Sequence, residues 1–278
     1  MDVKKGFEKW FLLRSDAHHD SVFCNRDLET EHLELCKQRG GNVLDFGDIF
    51  DAMQGRYDSR RSTHDLRNEY NSAMTRGEKY FNVITNDASR YYKPYAPMWL
   101  LMARGNHETA VERHNDYDLI QSLTDKLNED KNANVNTGEY GGWVNFQFRI
   151  AGTQVETIRM KYFHGSGGGG IVTKGVIQSN RQAVYLPDAS IVVGGHIHES
   201  WSLVIPRERI NTQGTIYQDL QWHVRTATYK DEYNQGASGW HVETGKPPKP
   251  LGCLWLRFFY VTQGSRAHIN FEITQDVR

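Results

Sequence analysis

The sequence is poor in cysteine, with Cys24, Cys36 and Cys253 as the only three among 278 residues. An odd number of widely spaced cysteines argues against a disulfide framework or a zinc ribbon and is typical of a reduced, cytosolic setting. The chain also has no apolar run near the roughly 18–20 residues that a membrane span requires. Its first residues lack the apolar core of a secretory signal peptide. We therefore expect a cytoplasmic protein with no membrane partner.

The sequence also has no marked excess of basic or acidic residues. The 33 Lys and Arg residues nearly balance the 34 Asp and Glu residues, which gives a formal net charge of −1. Overall charge therefore does not indicate a nucleic-acid partner, although a basic patch that is offset elsewhere would not show in this sum. The glycine-rich run at 165–170 has no following Gly-Lys-Ser/Thr, which excludes a nucleotide-binding P-loop.

Short apolar runs alternate with helical patterns in the first part of the chain, and strands dominate the rest. Apolar spacing predicts helices over 27–39, 64–88, about 110–128 and near 172–182. The C-terminal part, about 201–278, is strand-rich and carries a Gly/Pro-rich insertion at 233–251. This order predicts an α/β fold in which a sandwich of two β-sheets is flanked by helices. We expect a single domain over 1–278.

Five polar motifs each follow an apolar, strand-like run. In chain order they are Asp16-Ala-His18, Gly47-Asp48-Ile-Phe-Asp51, Gly105-Asn106-His107-Glu108, His164-Gly165 and Gly195-His196-Ile-His198. They supply carboxylate, amide and imidazole groups, which bind divalent cations. Two adjacent cations can hold a phosphate and activate a water to attack it. Taken singly, each motif also fits a polar turn or a helix N-cap; together they predict a dinuclear metal site.

Residue spacing within the motifs suggests how metals would be held. Asp16 and His18 are two residues apart, so both side chains would point to the same side of an extended segment. His196 and His198 have the same spacing and could bind two neighbouring metals. The Asp48 carboxylate has two oxygens that could bridge two cations.

The third motif offers both a ligand and an acid. Asn106 is a neutral oxygen donor, suited to a metal that already carries carboxylate charge. His107 could give a proton to a leaving oxygen or stabilise charge on the phosphate. Glu108 or another nearby acid could orient His107, and Asp51 could orient the loop of the second motif.

Glycine, basic and aromatic residues near the motifs are candidates for substrate binding. Backbone N–H groups at Gly165 and Ser166 could approach an anion, although this run also fits a flexible turn. The basic candidates are Arg56, Arg60, Arg61, Lys174 and Arg181, for which ordinary solvated charge is the alternative. Tyr57, Trp201 and Tyr229 could stack on bases or else belong to the core. The seven histidines outside the motifs are expected to be structural or surface residues: His19, His32, His64, His114, His223, His241 and His268.

The motifs, in this order over residues 16–198, resemble those of the calcineurin-like metallophosphoesterase superfamily. The resemblance implies a four-layer α/β/β/α sandwich with the site at the carboxyl ends of strands. It implies two metals, most often Mn²⁺ and otherwise Fe, Zn²⁺ or Ni²⁺, and a bridging hydroxide that attacks phosphorus in line. By the same resemblance, His107 is the acid/base residue and Asp48 is shared between the metals. The remaining ligands are Asp16, His18 and His198 for one metal and Asn106, His164 and His196 for the other.

The chain most resembles phage or prophage phosphoesterases of the DNA-repair-exonuclease-like branch. The Gly-Asp-Ile-Phe-Asp motif at 47–51 is similar to that of repair nucleases and small phosphodiesterases. The Gly-Asn-His-Glu motif at 105–108 is similar to that of Ser/Thr protein phosphatases. However, those phosphatases have Asp-Arg-Gly where this chain has Ala52-Met-Gln, and Gly-Asp-x-His-Gly where it has Ser15-Asp-Ala-His-His.

These observations favour a dinuclear-metal-dependent phosphodiesterase that acts on nucleic acid, DNA or RNA, or on a nucleotide. One alternative is a phosphomonoesterase, if the insertion at 233–251 closes the pocket around a terminal phosphate. A second is a non-catalytic scaffold with the same fold, although such scaffolds usually lose ligands. The sequence leaves open the native metal, exonuclease or endonuclease action, and the oligomeric state.

Overall fold

The strands form two mixed β-sheets in the computed structural model, which describes residues 1–53, 66–152, 154–170, 172–234, 238–264 and 266–278. The strands are β1 (Asp2–Val3), β2 (Glu8–Arg14), β3 (Asn42–Asp45), β4 (Trp99–Ala103), β5 (Asn136–Gly138), β6 (Gly141–Ile150), β7 (Gln154–Phe163), β8 (Ile191–Gly194), β9 (Trp201–Ile210), β10 (Ile216–Arg225), β11 (Gly252–Gln263) and β12 (Arg266–Val277). Sheet I has the strand order β12-β11-β2-β3-β4-β5, and sheet II has the order β1-β6-β7-β8-β10-β9.

The helices flank these sheets. They are α1 (Arg26–Gln38), α2 (Asn68–Thr75), α3 (Tyr80–Tyr92), α4 (Asn106–Asn115), α5 (Leu119–Leu127), α6 (Val176–Tyr185) and the short α7 (Trp240–Glu243), with a 3-10 turn at Lys93–Met98. Among the described residues, none of these helices has the length and apolar character needed to cross a membrane. Two mixed sheets with flanking helices confirm the predicted fold class.

Alternating side chains along the strands divide the core into layers. Phe11 and Leu13 of β2 lie in the cluster between the two sheets, whereas Leu12 lies in the cluster between sheet I and its helices. Adjacent residues of a strand point to opposite faces, so one strand serves both layers. In sheet II, Phe146 and Phe148 of β6 pack across to Phe258 of β11, with ring centroids 4.8 and 4.9 Å apart.

Parallel pairing brings the ends of the motif-bearing strands together. β2, β3 and β4 are parallel neighbours in sheet I, and β7 and β8 are parallel neighbours in sheet II. Parallel strands end at the same edge of a sheet. Each of the five motifs begins within three residues of the end of one of these strands, as predicted.

Two predicted helices are each interrupted. The pattern over 64–88 contains α2 and α3, separated by Gly77 with φ +89°, and residues 64–65 lie outside the described part. The pattern near 110–128 contains α4 and α5, separated by Asp116 with φ +52°. Asp118 then caps α5 by accepting a hydrogen bond from the Gln121 N–H at 2.9 Å. The apolar pattern continues across both breaks. The pattern therefore did not indicate that a residue with a left-handed φ angle interrupts each helix.

Candidate metal centre

The loops that follow the strands are tied to one another by backbone hydrogen bonds. In sheet I the Asp16 N–H donates to the Gly47 carbonyl at 2.9 Å, and the His18 N–H donates to the Asp48 carbonyl at 3.1 Å. In sheet II the Gly195 N–H donates to the His164 carbonyl at 2.7 Å. These bonds hold the motifs side by side at the sheet edge.

Asp16, His18 and His198 form the first set of converging donors. The Nε2 atoms of His18 and His198 are 3.2 Å apart, and His198 Nε2 is 3.3 Å from Asp16 Oδ1. All three residues are buried. Burial would raise the pKa of Asp16, but the hydrogen bond and charge of His198 hold this pKa at about 2. An ionised carboxylate between two imidazoles can bind a divalent cation.

Asp48, Asn106, His164 and His196 form the second set. Asn106 Oδ1 lies 3.1 Å from His164 Nε2 and 2.7 Å from His196 Nδ1. His164 Nε2 also lies 3.2 Å from Asp48 Oδ2. The structure thus brings together the residues predicted to bind the second metal, with Asp48 among them. The bridging role of Asp48 stays a prediction.

The chemistry of this second set fits a bound cation. A backbone carbonyl can only accept, so the contact of 2.9 Å between His164 Nδ1 and the Phe46 carbonyl places a proton on Nδ1. In a neutral His164 the Nε2 lone pair then faces the oxygens of Asp48 and Asn106. Burial lowers the pKa of His164, yet the Asp48 and Asp16 carboxylates raise this pKa to about 10. The same negative field that holds a proton here would hold a metal.

Backbone conformation also marks the site. Five ligand candidates have left-handed φ angles, which are uncommon for residues other than glycine and cluster at functional sites. These angles are +54° at Asp16, +46° at His18, +54° at Asp48, +73° at His196 and +53° at His198. The surrounding loops therefore maintain a costly conformation that aims side chains toward one another.

Two motif glycines are required because neighbouring loops approach them closely. A Cβ atom at Gly105 would overlap the carboxylate and backbone nitrogen of Asp48. A Cβ atom at Gly195 would overlap the Ser15 hydroxyl and the Asp16 carboxylate. The Ser15 hydroxyl itself bonds to Asp16 Oδ2. Because glycine has no side chain, the backbone of one motif can lie in contact with a candidate metal ligand of another motif.

His107 lies beside both sets of donors. Its backbone N–H donates to Asp48 Oδ1 at 3.0 Å, and its ring is 5.0 Å from the ring of His18, centroid to centroid. Its Nδ1 is 2.5 Å from the Asp51 carbonyl and must be the donor in this contact. Its Nε2 is 3.8 Å from Asp48 Oδ2. This nitrogen is therefore the one directed at the centre.

The expected role of Glu108 is corrected by these contacts. Glu108 does not orient His107 but accepts hydrogen bonds from the backbone N–H groups of Asp48, Phe50 and Gly105 at 3.1, 2.9 and 2.8 Å. The carboxylate thus joins the second and third motifs. The Asp51 carbonyl contacts the His107 ring at Nδ1 and orients it.

Asp51 does more than orient its own loop. Its Oδ1 is 2.9 Å from His18 Nδ1 and 3.0 Å from Lys230 Nζ. A carboxylate behind a histidine fixes the ring and leaves the other nitrogen for a metal. Burial lowers the pKa of His18 to about 4, despite the opposing effect of Asp51, so the imidazole is neutral and able to bind a cation.

One histidine at the site was not predicted from the sequence. His241, from the insertion, has its ring 5.3 Å from the ring of His198. Its Nδ1 is 2.9 Å from Glu232 Oε2. No strand-like run precedes His241, so the pattern that identified the five motifs could not find it.

The predicted substrate-binding residues have mixed outcomes. Gly165 is buried under His196, and Ser166 is exposed and accepts a hydrogen bond from Gln178 Nε2 at 3.1 Å. Lys174 is exposed and lies 3.4 Å from Glu199, the neighbour of His198 in sequence. Arg56, Arg60, Arg61 and Tyr57 lie outside the described residues.

Tyr229 is not available for base stacking, so that suggestion was wrong. Its side chain is fully buried in the core beside sheet I, and its hydroxyl is 2.9 Å from His32 Nδ1. Trp201 is partly exposed, and its indole N–H donates to the Lys174 carbonyl at 2.8 Å. Its stacking role stays a prediction.

Comparison with known proteins yields similar folds at low identity. No protein-family model and no curated protein matches the chain. The Vacuolar Protein Sorting 29 structure from Cryptosporidium parvum is 12% identical with a TM-score of 0.37, over 97% of this chain and 100% of that one. The calcineurin-like phosphoesterase YfkN from Bacillus subtilis is 9% identical with a TM-score of 0.37, over 96% and 90%. GAP50 of Plasmodium, the anchor in the inner membrane complex, is 10% identical with a TM-score of 0.43, over 90% and 81%. At these scores the likeness adds no argument about function, which rests on the residues.

Proposed function

We propose that this chain is a metal-dependent phosphoric ester hydrolase of the calcineurin-like metallophosphoesterase superfamily. The observation that carries the proposal is the convergence of two sets of carboxylate, amide and imidazole donors, with His107 beside them. Two divalent cations, Mn²⁺ or else Fe, Zn²⁺ or Ni²⁺, would supply Lewis-acid charge and an activated water at this position.

The protein's own residues divide the remaining work. Asp16, His18 and His198 would hold one cation, and Asn106, His164 and His196 the other, with Asp48 shared. Asp51 and the Phe46 carbonyl fix the rings of His18 and His164, so these ligands need little reorganisation when a metal binds.

His107 is proposed as the proton donor. Because its Nδ1 proton is engaged by the Asp51 carbonyl, Nε2 is the nitrogen that can carry a transferable proton. Giving that proton to the leaving oxygen would avoid release of a free alkoxide. The His107 side chain is 11% exposed.

Charged side chains around the centre form two groups. Lys230 lies between Asp51 and Glu232, at 3.0 and 3.4 Å. Glu199 lies between Lys174 and Lys249, at 3.4 and 2.6 Å. Among the described residues, the three lysines and three carboxylates of these two groups have a net charge of zero. Nucleic acid or a nucleotide, as in the DNA-repair-exonuclease-like branch, is the substrate class that we propose.

One observation favours a phosphomonoesterase as the second candidate. His241 belongs to the insertion and lies against His198, so the insertion reaches the rim of the site. A rim of this kind could restrict entry to a terminal phosphate.

Relative rates on two chromogenic esters distinguish the candidates. The full chain would be assayed with Mn²⁺, and again with EDTA, on bis-p-nitrophenyl phosphate and p-nitrophenyl phosphate. Faster cleavage of the diester that EDTA abolishes is the expected result, and it would lead to tests on DNA, RNA and cyclic nucleotides. Faster cleavage of the monoester would support the second candidate. No cleavage of either ester by metal-loaded protein would contradict both and favour a scaffold role.

Paired variants separate a loss of chemistry from general damage. Asp48→Asn should abolish turnover, because it removes a charged ligand from the centre. His114→Ala changes an exposed histidine on α4 and should leave turnover unchanged. Full activity in Asp48→Asn would contradict the assignment of the metal centre.

A further inference from the structure

A second cluster of metal-ligating side chains lies apart from the five motifs, where α1 packs against sheet I. It contains His32 of α1, Cys253 of β11 and Asp276 of β12, whose candidate ligand atoms all lie within 4.8 Å of one another. Cys253 and Asp276 are directly paired across the two strands. His32 lies among the buried residues of α1. Three elements that are distant in sequence thus bring these side chains to one point.

The His32 imidazole has an unpaired nitrogen directed into this cluster. The residue is 1% exposed, and in the part of the chain that the structure describes its Nε2 atom has no hydrogen-bond partner. The nearby Asp276 Oδ2 is 3.6 Å away, which is too long for a hydrogen bond. A buried polar atom without a partner is unfavourable and calls for an explanation such as an ion.

The other nitrogen of His32 is already engaged. Its Nδ1 is 2.9 Å from the Tyr229 hydroxyl. Burial lowers the pKa of His32, which leaves the imidazole in the neutral form that binds metals. A ring held through Nδ1, with Nε2 facing the Asp276 carboxylate, has the arrangement of a metal ligand.

We propose that His32, Cys253 and Asp276 bind one Zn²⁺ ion. A thiolate and an imidazole together favour zinc over harder cations. The separation of 3.6 Å between His32 Nε2 and Asp276 Oδ2 is close to the roughly 3.4 Å expected for two ligands of a tetrahedral zinc. The Trp255 indole N–H donates to Asp276 Oδ2 at 3.0 Å and steadies the carboxylate.

Charge at the cluster is compatible with a dication. Zinc binding would break the S–H bond of Cys253, form a Zn–S bond and release the proton to solvent. The thiolate and the Asp276 carboxylate then match the charge of the ion. Of the nearby guanidinium groups, Arg14 is neutralised by Glu29 and Asp45, each at 2.8 Å. The Arg278 guanidinium is paired with Glu31 at 2.5 Å.

The cluster lies at the edge of sheet I. Asp276 is 38% exposed at the edge strand β12, so a water can take the fourth position. Tyr229, which holds His32, also donates its backbone N–H to the Asp16 carbonyl at 3.1 Å. A zinc ion here would therefore fasten α1 and the edge of sheet I behind the first motif.

Cobalt substitution tests this site independently of the proposed activity. Co²⁺ bound to a thiolate gives a near-ultraviolet charge-transfer absorption band, and the candidate metal centre contains no sulfur ligand. Titration of the full chain with Co²⁺ should produce this band, and added Zn²⁺ should abolish it. Cys253→Ser should lack the band, whereas Cys24→Ser, which changes another buried thiol, should keep it. Absence of the band in the unmodified chain, or its survival in Cys253→Ser, would overturn the proposal.

A second variant keeps the test decisive if Cys253→Ser does not fold. Asp276→Asn changes a partly exposed side chain. It should weaken Co²⁺ binding by about tenfold or more, because loss of a group that only supports a metal ligand already costs about tenfold in affinity. Unchanged Co²⁺ affinity in Asp276→Asn would remove the carboxylate from the site and contradict the assignment.

Discussion

At the residue scale, three histidines near the metal centre are each held through one nitrogen by a partner behind the ring. His18 is held by the Asp51 carboxylate, His164 by the Phe46 carbonyl, and His107 by the Asp51 carbonyl. The other nitrogen of each ring is thereby fixed in its tautomer and direction. Residue type and spacing predicted these histidines. Their partners could not be predicted, since two of them are backbone carbonyls, which every residue carries.

Replacing His107 by glutamine should separate proton donation from metal binding. His107→Gln removes the group proposed to protonate the leaving oxygen, so kcat should fall by about 10²–10⁴-fold. Mn²⁺ affinity should change little, because His107 is not among the proposed ligands. Steady-state kinetics on the diester and Mn²⁺ titration measure the two effects.

The leaving group offers a control for this variant. An ester with a strongly acidic leaving alcohol needs little protonation, so its rate should fall less in His107→Gln than that of an alkyl ester. Equal losses on both esters would argue that His107 stabilises charge or shapes the site instead of donating a proton.

At the element scale, the site depends on how closely the loops after five strands pack together. Strand ends could be predicted from apolar runs followed by glycine and polar residues, and the five motifs follow β2, β3, β4, β7 and β8 as expected. The breaks at Gly77 and Asp116 were missed because the apolar pattern continues through them. The approach of His241 was missed because it depends on the path of an insertion without periodic pattern.

Adding one methyl group at Gly195 should disrupt the first ligand set. In Gly195→Ala the new Cβ would overlap the Ser15 hydroxyl and the Asp16 carboxylate, and this carboxylate must then move. We expect weaker Mn²⁺ binding, loss of most turnover and a lower midpoint of thermal unfolding.

Gly168→Ala is the matched control for this change. Gly168 lies in the glycine-rich run, and a Cβ there would meet nothing within 4 Å. Metal affinity and stability should therefore stay near those of the unmodified chain. If Gly195→Ala behaved like Gly168→Ala, the close packing of the first and fifth motifs would not be needed for metal binding.

At the scale of the whole molecule, the fold turns two sheets into one site. The cluster between the sheets aligns sheet I with sheet II, and the parallel strands of both sheets end at the edge where the donors meet. The sequence predicted two sheets with flanking helices from the order of strands and helices. It could not give the strand order or the pairing of β11 with β2, because that pairing depends on contacts between residues far apart in sequence.

Stability of the whole molecule should fall in acid through buried carboxylates, and Glu232 allows a direct test. Burial would raise its pKa, but the hydrogen bond from His241 and the charge of Lys230 lower this pKa from 4.5 to about 2. Above about 4.5 the group is ionised in both folded and unfolded chains. Between about 4.5 and 2 the unfolded chain takes up the proton first, so stability falls as the pH falls through this window.

The variant Glu232→Gln cannot ionise and should lose part of this pH dependence. Urea unfolding midpoints measured across the window should decline less steeply than for the unmodified chain. Glu243→Gln, at an exposed position of α7, should keep the full slope. The same slope in all three proteins would show that Glu232 is not a source of acid sensitivity.

We propose that the five motifs hold two divalent cations, and the stoichiometry of Mn²⁺ binding tests this proposal most directly. Mn²⁺ is a hard cation that binds poorly to the thiol-containing cluster, so calorimetric titration of EDTA-stripped protein reports on the motif residues. We expect two Mn²⁺ ions per chain, and fewer or much weaker sites in folded Asp48→Asn. Binding of no Mn²⁺ ion, or of only one, by the unmodified chain would contradict it, as would unchanged binding by Asp48→Asn.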